Sequence, residues 1–154
     1  MLIVIDDILD AHDLEKTQVF FGVSENRRIQ WVDGDLAGPI EVILSHVRSI
    51  FDLTSMGGIE QWAHYGTKTD WHVDRDEALF RRTGKVVTPL CSVVFYADVQ
   101  NLTGGKFMTD SVVVTPKINR LVAFAPGVRH GVEDYTGTRM AVAINPWTAK
   151  PEGY

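Results

Sequence analysis

Apolar and polar positions change rhythm near residue 58 of the chain. Leu2 to Ile5 is an apolar run closed by Asp6-Asp7, which predicts a strand. Asp10 is placed to cap a helix through Phe20, with Asp13 near its first turn and Gly22 as a stop signal. Arg28 to Val32 predicts an extended segment that ends at the turn Asp33-Gly34-Asp35. Pro39 suits the first turn of a second helix. Ile40, Ile43, Leu44, Val47, Ile50 and Phe51 recur at helical spacing, and the signal stops near Leu53, ahead of Met56-Gly57-Gly58.

After Gly58 no helical period survives. Short segments rich in Val, Ile, Phe, Tyr and Trp alternate with turn signals. They predict strands at Ile59–Tyr65, Thr69–Asp74, Val86–Tyr96, Lys106–Met108, Val112–Thr115, Leu121–Phe124, His130–Glu133 and Arg139–Asn145. Turns fall at Gly104-Gly105, Pro116 to Asn119, Pro126-Gly127 and Thr136-Gly137-Thr138. The expected fold class is mostly β with N-terminal helices, a sandwich or barrel supported by two helices. One domain over 1–154 is expected, with 1–57 as supporting strand and helices and 58–147 as the β core.

Composition narrows the choice of function. The 154 residues suit one domain with its own core. The net charge is -5, and no Lys/Arg run exceeds the pairs Arg27-Arg28 and Arg81-Arg82, so nucleic acid is disfavoured as a partner. Cys91 is the single cysteine, which excludes an internal disulfide and a Cys-rich zinc site; it reads as a small core hydrophobe. No signal-peptide pattern and no membrane-spanning apolar run is present, so a cytoplasmic location without membrane partners is expected.

The chemistry starts at His72-Val73-Asp74, where residues two apart on a strand turn an imidazole and a carboxylate to one face. His130 follows in another predicted strand. Two histidines and one carboxylate can occupy one face of an octahedral ferrous ion, leaving positions open for substrate and O₂. Arg139 lies nine residues after His130, across Thr136-Gly137-Thr138. A hairpin there would return Arg139 toward the metal, where a guanidinium can grip a carboxylate bidentately.

These residues, with Val93-Val94-Phe95-Tyr96, Gly104-Gly105, Arg120 to Phe124, His130-Gly131-Val132 and the late Trp147, resemble the Fe(II)/2-oxoglutarate-dependent dioxygenases, in particular their prolyl 4-hydroxylase-like group. The resemblance covers residues 58–147, and the strand and helix at the start match as well. It implies a double-stranded β-helix, the jelly-roll, cupin-like fold. It implies His72, Asp74 and His130 as metal ligands and Arg139 as the anchor of the 2-oxoglutarate C5 carboxylate. Tyr96 and Tyr65 are implied near the cosubstrate, and strand parity places Ser92 on the face of Tyr96. Trp71, Arg75 and Arg129 would line the substrate groove, with Arg75 to Lys85 as a lid or a solvated loop. His64 is assigned to packing, on the face opposite Tyr65, while His12 and His46 sit on predicted helices without a role.

The cofactors implied are Fe(II), 2-oxoglutarate and O₂, with ascorbate as an accessory reductant. The reaction implied is hydroxylation of an unactivated C–H, that of a prolyl residue in a peptide or protein, with release of succinate and CO₂. The alternatives are a free amino acid or small metabolite as substrate, or a cupin-like metal-binding module without oxygenase activity. Asp74 stands where related halogenases carry a small residue, and Asn145 where the nucleic-acid demethylases carry a second Arg. Both favour hydroxylation of a substrate other than nucleic acid. Oligomeric state is left open.

Overall fold

The computed structural model describes residues 1–66 and 68–154. The chain runs β1 (Leu2–Asp6), α1 (Ala11–Gly22), a 3-10 turn (Ser24–Arg27), β2 (Gln30–Asp33), α2 (Gly38–Arg48), β3 (Gly58–His64) and β4 (Thr69–His72). It continues through α3 (Glu77–Thr83), β5 (Ser92–Gly104), β6 (Phe107–Thr109), β7 (Val113–Val114), β8 (Arg120–Phe124), β9 (His130–Val132) and β10 (Tyr135–Trp147). The strands form two antiparallel sheets, a six-stranded one in the order β1-β8-β5-β10-β3-β2 and a four-stranded one in the order β4-β9-β6-β7. This is the double-stranded β-helix, with sheet edges at β1, β2, β4 and β7.

Period-two alternation sorts the large sheet's side chains between two cores. Val93, Phe95, Met140, Val142 and Ile144 turn outward and pack with Phe21, Ile43, Leu44 and Val47 of α1 and α2. Tyr96, Val122, Phe124 and Ala141 turn inward and meet Phe107 of the small sheet. The helices therefore seal the sheet's back, and the space between the sheets is left for the site. No helix among the described residues is long and apolar enough to cross a membrane.

Several element bounds differ from the sequence expectation. The Asp10 side chain caps α1 by accepting from the Asp13 N–H at 2.8 Å, as its position implied. α2 stops at Arg48 rather than near Leu53, because the N–H groups of Ile50 and Phe51 both turn back onto the Val47 carbonyl. β2 begins two residues later than Arg28. The segment from Arg75 to Lys85 contains a helix, α3, where none was expected. Asp76 caps it through the Leu79 N–H at 2.9 Å, and Gly84 ends it at φ +72°. Arg82 pairs with Glu152, which ties this helix to the C-terminal segment. β5 starts at Ser92 rather than Val86 and continues beyond Tyr96 to Gly104, because β10 pairs with it throughout. Thr136-Gly137-Thr138 is no turn: it is a bulge inside β10, and β9 and β10 lie in different sheets.

Candidate metal centre

His72 ends β4 and His130 begins β9, and the two are paired directly across the strands. Their ring centres lie 4.3 Å apart. Asp74 follows two residues after His72, and its Oδ1 is 3.3 Å from His72 Nε2 and 3.8 Å from His130 Nε2. One donor atom from each residue falls within 4.8 Å of the others.

The backbone orients this set. His72 Nδ1 lies 2.8 Å from the Asp70 carbonyl, and His130 Nδ1 lies 3.0 Å from the Val128 carbonyl. A carbonyl only accepts, so both Nδ1 atoms carry hydrogen, and Nε2 is the atom that each ring turns toward Asp74. The Ser92 hydroxyl donates to Asp74 Oδ2 at 2.6 Å, leaving Oδ1 for the centre. Phe107 stacks on the His130 ring at 5.4 Å and Phe124 packs on it at 4.7 Å. Burial pushes the Asp74 carboxyl up, yet the His72 hydrogen bond, the His130 charge and the Ser92 hydroxyl outweigh it and hold Asp74 below the ordinary carboxylate range. Burial also lowers His130, whereas the hydrogen bond to Asp74 raises the more exposed His72. Two neutral imidazoles and a carboxylate, without thiolate, suit a divalent first-row ion that keeps open positions.

Arg139 shares the cavity with the three ligands. It is 3% exposed, and no carboxylate among the described residues pairs with it. Its Nε donates to the Gly105 carbonyl at 3.0 Å. Its guanidinium lies 5.1 Å from the Tyr96 ring centre and 5.6 Å from that of Tyr135. The Tyr96 hydroxyl is buried with no partner among the described residues, and burial raises its pKa while Arg139 opposes the rise. Arg139 brings a buried charge without a counter-charge among the described residues to this end of the cavity, beside the partnerless Tyr96 hydroxyl, which lies outside the cavity lining, and such a charge suits an anion.

The structure divides the other expected residues. Ser92 lines the cavity, but its hydroxyl is engaged by Asp74. Tyr65 is corrected: it is exposed, lies outside the cavity lining, and carries the Arg27 guanidinium 4.0 Å above its ring. Its neighbour His64, assigned to packing, lines the cavity instead. The reason is the register of β3, which turns Ile59 and Ala63 toward the helices and so Glu60, Trp62 and His64 inward. Trp62 Nε1 donates to His64 Nε2 at 2.8 Å, and burial followed by the Arg139 charge keeps His64 neutral. Trp71, Arg75 and Arg129 line an open groove of about 530 Å³ that also touches His72 and Asp74. Arg129 lies 4.9 Å over the Trp71 ring, whereas Arg75 lies 3.5 Å over the Phe80 ring and bonds Glu77. Trp62 and Asn145 are lining residues without an expected role; alternation from Arg139 along β10 was the signal that places Asn145 inward.

The fold and this ligand set together define a double-stranded β-helix with a two-histidine, one-carboxylate centre. Solved structures share the architecture along nearly the whole chain. The viral collagen prolyl hydroxylase of Paramecium bursaria Chlorella virus-1, in complex with 2OG, matches with a TM-score of 0.66 at 12% identity over 97% of this chain and 96% of that one. A Pseudomonas putida prolyl-4-hydroxylase matches with a TM-score of 0.66 at 18% identity over 97% and 88%. A Trichoplax adhaerens prolyl hydroxylase, in complex with a hypoxia-inducible-factor oxygen degradation domain peptide fragment, matches with a TM-score of 0.62 at 16% identity over 96% and 83%. At these identities the likeness is one of fold. No protein-family model and no curated protein matches the sequence.

Proposed function

We propose that the protein is an Fe(II)- and 2-oxoglutarate-dependent dioxygenase that hydroxylates an unactivated C–H of a prolyl residue in a peptide or protein. The observation that carries this reading is the conjunction, in one cavity, of the two-histidine, one-carboxylate set with a buried guanidinium that no carboxylate among the described residues neutralises. A ligand-binding barrel without oxoacid chemistry gives Arg139 nothing to do. When bound, ferrous iron with 2-oxoglutarate and O₂ supplies the oxidising power: the oxoacid is decarboxylated to succinate and CO₂, and one oxygen atom enters the substrate C–H.

The chain's own part is to hold and orient. His72, Asp74 and His130 would bind the iron, with Ser92 and the Asp70 and Val128 carbonyls fixing the donor atoms. Arg139 would bind the distal C5 carboxylate of the oxoacid through its terminal nitrogens, since Nε is held by Gly105. The unpartnered Tyr96 hydroxyl would donate to the same carboxylate. Val94, Phe107, Phe124 and Ala141 exclude water from this end. The substrate would lie in the open grooves at the cavity mouth, one walled by Trp71 and Arg129 and the other by Ile29 and Trp147, with Trp62 lining both. Peptidyl proline is supported by the fold neighbours named as prolyl hydroxylases, one of them solved with a peptide.

The test is anaerobic addition of Fe(II) and then 2-oxoglutarate, followed by visible absorption for a metal-to-ligand charge-transfer band. Wild type develops the band, and Arg139→Leu needs far more 2-oxoglutarate to do so. A metal-loaded wild type without the band refutes the cosubstrate assignment.

A further inference from the structure

Asn145 is the second buried polar group that the fold leaves without a partner. It is 2% exposed, and its Oδ1 accepts no hydrogen bond from any described residue. It lies on β10 six residues after Arg139 and on the same face. With Trp62 and Asp74 it belongs both to the metal cavity and to a neighbouring groove walled by Ile29, Trp147 and Tyr154. Asn145 therefore sits at the mouth between the two.

Its cross-strand partner Glu60 does not serve it. Glu60 Oε2 accepts from Trp147 Nε1 at 2.7 Å, and Oε1 accepts from the Tyr154 hydroxyl at 2.6 Å. The carboxamide thus presents one acceptor and one donor to the mouth. A carboxylate satisfies only the donor end, and an aliphatic group satisfies neither. The N–H and C=O of one extended peptide residue, which lie on the same side of the backbone, satisfy both at once, whichever way the carboxamide is turned.

We propose that Asn145 is a positioning residue that pairs with the backbone N–H and C=O of one residue of a peptide substrate at the mouth of the metal cavity. The proposal rests on the dioxygenase reading and deepens it. Proline carries no amide hydrogen, so the paired residue is one that flanks the target. The peptide then runs along the groove between Ile29, Trp62 and Trp147, with the target ring turned into the cavity.

The experiment uses end-blocked pentapeptides with a central proline and varied flanks, each beside twins N-methylated at the residue before or after proline. Binding is read by tryptophan fluorescence of the full chain loaded with Mn(II) and 2-oxoglutarate, whose own binding is measured first. Wild type binds a subset, and methylation at one of the two positions weakens binding at least tenfold, the loss of a hydrogen bond of about 1.4 kcal/mol. Asn145→Leu binds the parent and the methylated peptide equally weakly and melts no lower than wild type, because it removes an unpartnered amide. A wild type that binds metal and oxoacid but no peptide, or that binds methylated twins as well as parents, overturns the proposal. So does a folded Asn145→Leu that keeps the discrimination. If the variant fails to fold, the wild-type comparison with methylated peptides still decides. Failure of wild type to bind metal or oxoacid counts instead against the dioxygenase reading.

Discussion

Replacing Gly105 by alanine measures how closely the turn between β5 and β6 is fitted to Arg139. Gly105 has φ +73°, and an added Cβ would lie 3.0 Å from Arg139 Cδ and 3.2 Å from Tyr135 Cβ. An L-residue in the left-handed region costs about 1–2 kcal/mol. Crowding a packed arginine stem adds about 1–3 kcal/mol, because that stem is buried between Tyr96 and Tyr135 and has little room to give. Gly84 supplies the control: its φ is +72°, yet nothing lies within 4 Å of its added Cβ, so Gly84→Ala carries the conformational cost alone. For a domain of 154 residues each kcal/mol moves Tm by about 2–4 °C. Melting followed by circular dichroism is expected to show a loss of about 2–8 °C for Gly84→Ala and roughly twice that for Gly105→Ala. Only Gly105→Ala also raises the 2-oxoglutarate concentration needed for half-maximal succinate release, because the guanidinium is displaced. Equal losses of Tm with unchanged oxoacid dependence in both variants would falsify the claim that Gly105 is fitted to Arg139.

Three further outcomes are expected. Ser92→Ala frees Asp74 Oδ2 from its 2.6 Å hydrogen bond and weakens Mn(II) affinity about 10–100-fold by titration calorimetry; unchanged affinity means Ser92 does not orient the ligand. Tyr96→Phe removes a buried hydroxyl that lacks a partner, so Tm without 2-oxoglutarate stays level or rises while the oxoacid requirement increases; a lower Tm with unchanged requirement refutes the anion-anchor role. Burial raises the Glu60 pKa, ahead of the opposing Tyr154 and Trp147 hydrogen bonds. The stability linked to Glu60 is therefore fully present below its ordinary value and lost as pH rises through the raised one. Tm of Glu60→Gln relative to wild type should climb as pH rises above the ordinary glutamate value of 4.5, and a flat difference would contradict the upward shift.

The parts of the fold legible in the sequence were those that bury one continuous stripe or face. α1 and α2 announced themselves through Asp10, Pro39 and the Ile43, Leu44, Val47 stripe. α3 did not, although Asp76 and Gly84 are proper end signals, because its seven residues bury no side chain and so carry no period. The outer half of β5 was hidden for a related reason: Gln100 and Asn101 are exposed, and Asn101 takes a positive φ at the bulge opposite Gly137. Within the site, His72, Asp74, His130 and Arg139 share one cavity; two-residue spacing made the first pair legible, whereas Arg139 arrives on β10 beside β5 and not by the hairpin expected after His130. The exchange of Tyr65 for His64 came from parity alone. Which face of β3 points inward is settled by Ile59 and Ala63 packing under the helices, a tertiary fact that the strand's own residues do not contain.

β10 carries Arg139 at one end of the cavity and Asn145 at the other, with only Ala141 and Ala143 between them on the inner face. At about 3.4 Å per residue the strand sets a span of roughly 20 Å between the two groups. β10 is held on both sides by β3 and β5, so it acts as a ruler that loop changes cannot stretch. On the proposed roles of Arg139 and Asn145, the length accommodated is a property of one strand and the girth a property of two alanines. Enlarging either methyl group shortens the usable scale from the middle, without touching a metal ligand or either end of the measure.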